Sequence, residues 1–156
     1  RDLHRLIRRQ RQMCIRDSYY NYREESNFIT AIRYLFEYQK GDNLPFYAQT
    51  RLGESTGLRM AGDGRFTDRG RIVANIEERI TVLKKPVLNF FSEIEISPFL
   101  DMGTVFSKVS DIDFSKMKYG PGIAFRIVIR PQVVGTADFA FGSEGMNTII
   151  KVDYPF

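Results

Sequence analysis

Apolar and polar residues alternate with a period of two over six stretches of this chain, and that alternation is its dominant periodicity. From Asn27 to Gln39, Phe28, Ile32, Tyr34, Phe36 and Tyr38 share one face against Arg33, Glu37 and Gln39. From Ile72 to Val82, Ile72, Ala74, Ile76, Ile80 and Val82 oppose Asn75, Glu77, Arg79 and Thr81. From Phe90 to Met102, Ile94, Ile96, Leu100 and Met102 oppose Glu93, Glu95, Ser97 and Asp101. Ile123, Phe125, Ile127 and Ile129 then oppose Arg126, and Phe139 and Phe141 oppose Thr136 and Asp138. Last, Ile150, Val152, Tyr154 and Phe156 oppose Asn147, Lys151 and Asp153. Successive side chains of a strand point to opposite faces, so each stretch predicts a strand with one apolar and one charged face.

Turn signals separate the six: Lys40 to Asn43, Lys84-Lys85-Pro86, Lys108 to Lys116, Arg130-Pro131 and Gly142 to Gly145. Long connections (40–70, 106–117) alternate with short ones (83–88, 130–132). Transmembrane barrels have this asymmetry, with long outer loops and short periplasmic turns. A soluble sandwich or lipocalin-like barrel gives the same alternation with the apolar face turned inward. Alternation fixes the faces, not which one is wet. Two details favour the membrane. The apolar faces are rich in Phe, Tyr and Ile, with aromatics at strand ends, and the opposite faces mix both signs of charge as a polar lumen does. No apolar run approaches the length of a transmembrane helix.

The charge is concentrated at one end. Residues 1–18 hold six Arg and two Asp; of the chain's 23 basic and 19 acidic residues, 17 of each remain in 19–156. The stretch QRQMCIRDS resembles a translated sequencing adaptor, so residues 1–18 are expected to be non-native and 19–156 to be the barrel segment. An Arg-rich arm is also the signature of a nucleic-acid or anionic-membrane contact; with the arm set aside, no nucleic-acid partner is expected. The only His (His4) and the only Cys (Cys14) lie there too. The remainder has neither thiol nor imidazole, which removes Cys- and His-based metal, nucleophilic and redox chemistry. No catalytic residue, metal site or cofactor is expected, and no enzyme. Glu93 and Glu95 share one strand face without a nucleophile–base pair, and Gly62-Asp63-Gly64 and Gly120-Pro121-Gly122 are not followed by a helix.

Leu44–Gly70 (LPFYAQTRLGESTGLRMAGDGRFTDRG) resembles the long sixth extracellular loop of the BamA/TamA family of outer-membrane barrels, the bacterial surface antigens. Its motif residues fall on Gly57, Leu58, Arg59, Gly64, Arg65, Phe66, Asp68 and Arg69. Met60-Ala61 stands where the family has Gly-Phe or Gly-Tyr, and Glu54 where Gly is usual. ANIEERI (Ala74–Ile80), PFLDMGTVF (Pro98–Phe106) and YGPGIAFRI (Tyr119–Ile127) resemble the strands that follow. NTIIKVDYPF resembles the family's C-terminal insertion signal, carried by Ile150, Val152, Tyr154 and Phe156. The resemblance covers about 27–156, in family order and spacing.

It implies about the last six strands of a sixteen-stranded barrel in the bacterial outer membrane, with the earlier strands, and any POTRA domains, outside this sequence. It implies insertion or transport of other proteins, with outer-membrane lipid and unfolded outer-membrane or secreted chains as partners. The alternative is a passive channel, or a membrane anchor for a fused exported domain. It also implies that Arg59 turns inward and is held by Glu77 and Asp101. A loop arginine is more often solvated. Two carboxylates facing a confined lumen nevertheless need a cation, and a guanidinium can fork between them.

Overall fold

The alternating stretches build antiparallel strands, because β-branched and aromatic residues on every second position pack well on a pleated surface. The structure, a computed structural model, describes residues 10–21, 27–40, 44–87, 90–129, 133–143 and 145–153. Seven strands form one sheet: β1 (Gln10–Asn21), β2 (Phe28–Lys40), β5 (Gly70–Val87), β6 (Phe90–Phe106), β7 (Lys118–Ile129), β8 (Val133–Gly142) and β9 (Gly145–Asp153), hydrogen-bonded in that order. All pairs are antiparallel. Two short strands, β3 (Thr50–Leu52) and β4 (Phe66–Asp68), pair inside the long connection between β2 and β5. The sheet is open, with β1 and β9 at its two edges. Among the described residues, no helix is long and apolar enough to cross a membrane.

The six expected strands are β2 and β5 to β9, so the antiparallel all-β class is present, without closure into a barrel. The seventh strand, β1, takes residues 10–18 into the sheet and runs on to Asn21. Pairing is made by backbone groups and is indifferent to a segment's origin. By register, Cys14, Arg16 and Ser18 share the face of Phe36, Tyr34 and Ile32, and all three are exposed. That face is apolar across the next two strands and polar on β1.

Two local expectations are corrected. Lys84-Lys85-Pro86 is not a turn; it continues β5, opposite Glu93, Ser92 and Phe91. The alternation from Ile72 does not run through Val82 either. A bulge between Thr81 and Leu83 makes Leu83, not Val82, the partner of Ile94 and shifts the face by one residue. The β5–β6 ladder also skips Glu78 and Arg79, whose register partners would be Pro98 and Ser97. Proline has no N–H to give a ladder, which accounts for the gap at Pro98. Glu78, the one carboxylate among the isoleucines of that β5 face, accepts a hydrogen bond from Thr30 on β2.

Burial separates the two faces of the sheet. Leu35, Glu37, Arg71, Val73, Glu77, Ser97, Phe99, Asp101, Ala124, Asp138 and Ala140 are buried, all on the face that carries the charges. The opposite face leaves Phe28, Tyr34, Ile76, Ile94, Phe125, Ile127, Phe141, Ile150 and Val152 exposed. The connection 44–69 covers the charged face. Its Leu52, Leu58, Met60 and Ala61 complete the core with Leu35, Val73, Phe99, Ala124 and Ala140. At the loop end of the apolar face, Phe106 lies against Gly70 and stacks on Phe36 and Tyr38, with ring centroids 5.8 Å apart in both pairs.

Candidate functional site: an arginine centre under the inward loop

The inward course of the loop follows from a few apolar residues in a polar segment. Leu52 and Leu58 are wholly buried, and each such side chain contributes roughly 1.5–3 kcal/mol on leaving water. The backbone turns tightly between them. Thr56 and Leu58 N–H both donate to the Gly53 carbonyl (3.1 and 2.9 Å), and Gly53 N–H donates to Thr56 Oγ1 at 2.8 Å. Gly57 takes a left-handed φ of 107°, which costs glycine little. Ala61 N–H then donates to the Leu58 carbonyl at 3.1 Å, so the turn at the tip forms with Met60-Ala61 in place. Met60 is accommodated because β7 and β8 offer glycines. A Cβ on Gly120 would lie 2.6 Å from Met60 Cγ, and one on Gly142 would overlap the Met60 sulfur.

This turn delivers Arg59 to the sheet. Its backbone N–H donates to Asp101 Oδ2 at 3.1 Å; Nε donates to the same oxygen and Nη2 to Oδ1, both at 2.9 Å. Nη1 reaches Glu77 Oε2 at 3.2 Å and Asp138 Oδ2 at 3.4 Å. The guanidinium carbon lies 3.3 Å from the centroid of the Phe99 ring, a cation–π contact out of bulk water. Burial works against the Arg59 charge. The hydrogen bonds to Asp101 and the attraction of Asp101, Glu77 and Asp138 outweigh it and hold the guanidinium pKa above its ordinary value.

The centre is larger than the three residues read from the sequence. Glu77 is shared: Arg126 Nη1 lies 2.6 Å from Oε1 and Arg79 Nε 3.0 Å. Asp138, on β8, is a third buried carboxylate. Three carboxylates thus face Arg59, Arg79 and Arg126, and the formal charges balance. Asn75 donates to Asp101 Oδ1 at 2.7 Å and to the Gly57 carbonyl at 2.6 Å; Asn147, on β9, donates to the Arg59 carbonyl at 2.8 Å. The periodicity placed Asn75, Arg126, Asp138 and Asn147 on the charged face. No signal in the sequence said that their strands curl toward one loop residue.

The other motif residues lie away from this centre. Phe66 packs against the core, with Lys118 Nζ 6.0 Å from its ring centroid. Asp68 accepts from Ser107 Oγ and from Arg69 N–H (2.7 Å), and the Arg69 carbonyl accepts from Gln39 N–H. Gly64 has a φ of 64°, and Arg65 is exposed. These residues build β4 and its junction with β5. A second buried ion pair, missed in the sequence, lies nearby: Arg71 Nη2 to Glu37 Oε2 at 2.8 Å, with Arg71 Nη1 donating to the Arg51 carbonyl. Ile150 and Val152 are exposed on the apolar face of β9; Tyr154 and Phe156 lie outside the described residues.

Beside the arginine centre is an open-sided cavity of about 340 Å³, lined by groups of both signs that include Asp17, Arg33, Glu54, Arg79 and Lys151. Among the described residues no cluster of His, Cys, Asp or Glu has the arrangement of a metal site. Compared with protein-family models, curated proteins and solved structures, the chain matches none.

Proposed function

We propose that this chain is the C-terminal part of an outer-membrane β-barrel of the BamA/TamA type, whose work is to insert or transport other proteins. One observation carries the reading. The sheet leaves Phe28, Ile76, Ile94, Phe125, Ile127, Phe141 and Ile150 exposed on one face and covers its charged face with a loop. A sheet facing water on one side does the reverse. An apolar outer face around a charged, filled interior suits a strand wall set in lipid. Each of the six strands β2 and β5 to β9 has at least nine residues, enough to cross a bilayer when tilted. The stack of Phe36, Tyr38 and Phe106 suits an interfacial aromatic girdle.

Within that reading the chain performs no chemical catalysis. An open strand edge offers a row of backbone donors and acceptors, and an unfolded client adds a strand there by β-augmentation. The loop, pinned by Arg59, braces the wall from inside. A loop that packs the charged face works against a wide passive pore. The test is depletion of the full-length protein in its host. Loss of other outer-membrane proteins, with accumulation of their unfolded forms in the periplasm, is the expected outcome. Normal levels of those proteins would return the chain to the class of channels or anchors.

A further inference from the structure

The loop tip touches more of the sheet than an anchor requires. The Arg59 backbone is held from two sides: its N–H by Asp101 on β6, and its carbonyl by Asn147 on β9. Asn147 Nδ2 also lies 3.3 Å from Glu54 Oε2, on the near side of the turn. Among the described residues, β9 is an edge of the sheet and its ladder partner is β8. An inward-facing amide on an edge strand therefore ties that edge to the loop independently of the ladder.

We infer that Asn147 is a latch, through which the inward loop fixes the position of the edge strand β9 and responds when that edge is moved. The partner class is an extended polypeptide that pairs with β9; this rests on the reading under Proposed function. Such a strand twists or shifts β9 as it pairs. The shift is felt first at Asn147, because its amide joins β9 to the Arg59 carbonyl across a single hydrogen bond. The Arg59 backbone in turn shares its residue with the guanidinium that Asp101 holds. Displacement of the edge is thus passed to the arginine centre without any change in the β8–β9 turn. Asn147 is a positioning residue in this scheme.

The test needs no client and so is separate from the insertion activity. Amide exchange is followed by mass spectrometry in the full-length protein, in detergent, for Asn147→Ala and for the control Thr148→Ala, which lies on the opposite face of the same strand. Asn147→Ala is expected to speed exchange on the order of fivefold in both the 54–62 segment and 145–153, the equilibrium weight of one ordinary hydrogen bond. Thr148→Ala leaves the loop unchanged. Glu54→Ala, which loosens the same amide from the loop side, gives the same paired response at smaller amplitude and stands in if Asn147→Ala fails to fold. Faster exchange in only one of the two segments, or in neither, would overturn the latch.

Discussion

Asp101 accepts three hydrogen bonds from Arg59, one from the backbone N–H and two from the guanidinium, while its own side chain is fully buried. Few arrangements bind a loop so firmly to a strand, because backbone position and side-chain direction are fixed by one carboxylate. Buried carboxylates are tolerated only when paired and hydrogen-bonded. Arg59→Ala is therefore expected to cost roughly 3–5 kcal/mol where water stays out, and Arg59→Lys to recover only part of it, since an ammonium has no planar fork. Denaturant unfolding of the full-length protein measures both. An Arg59→Lys variant as stable as the parent would show that charge alone suffices.

The three carboxylates do not depend equally on that arginine. Glu77 keeps Arg126 and Arg79 when Arg59 is removed, whereas among the described residues the one cation within ion-pair distance of Asp138 is Arg59. In an Arg59→Ala background, Asp138→Asn is expected to restore about 1–3 kcal/mol by removing a buried unpaired charge. Glu77→Gln in the same background is expected to destabilise further, because it strips Arg126 of its carboxylate. Midpoints compared at unchanged denaturant dependence separate the two. Equal effects would mean that the site is wet enough to screen them.

How far this was legible in the sequence depends on the kind of information each residue carries. Period-two alternation assigned Glu77 and Asp101 to one face of adjacent strands, and they lie there, on β5 and β6. It also assigned Asp138 and Asn147 to that face, but a periodicity has no term for curvature, which brings β8 and β9 under the loop. The bulge at Val82 was invisible because Ile-Thr-Val-Leu reads equally well in either register. Lys84-Lys85-Pro86 read as a turn by composition, yet at the end of a long hairpin the backbone stays paired. Gly120 and Gly142 gave no signal of their place beside Met60, since what they supply there is the space left by a missing Cβ.

That space makes a prediction. Gly120→Ala would place a methyl 2.6 Å from Met60 Cγ, near the root of the side chain, where rotamer changes give little relief. A cost of about 1–3 kcal/mol is expected from overpacking. Gly142→Ala meets the flexible sulfur end and should cost less. Met60→Ala alone loses packing, but combined with Gly120→Ala it should cost clearly less than the sum of the singles. A double-mutant cycle measures the coupling. Strict additivity would mean that Met60 does not occupy the glycine gap.

The uncovered apolar face yields the sharpest test of where the protein resides. Ile127 on β7 is half exposed on that face, and its neighbour Arg126 points the other way, into the centre around Glu77. In water, an exposed isoleucine away from special features tolerates replacement within about 0.5 kcal/mol. In a bilayer, arginine on the lipid face costs roughly 2–4 kcal/mol near the midplane and little near the interfaces. Ile127→Arg is thus expected to destabilise the full-length protein strongly in lipid, and Tyr119→Arg, at the loop end of the same strand face, far less. A spin label on a cysteine introduced at 127 should be reached by oxygen dissolved in the bilayer and shielded from a water-soluble nickel complex; a label at 33, on the charged face, should show the reverse order. If Ile127→Arg is neutral and its label is wet, the apolar face meets water instead of lipid. The membrane reading would then fall, while the arginine centre, which rests on contacts within the chain, would remain.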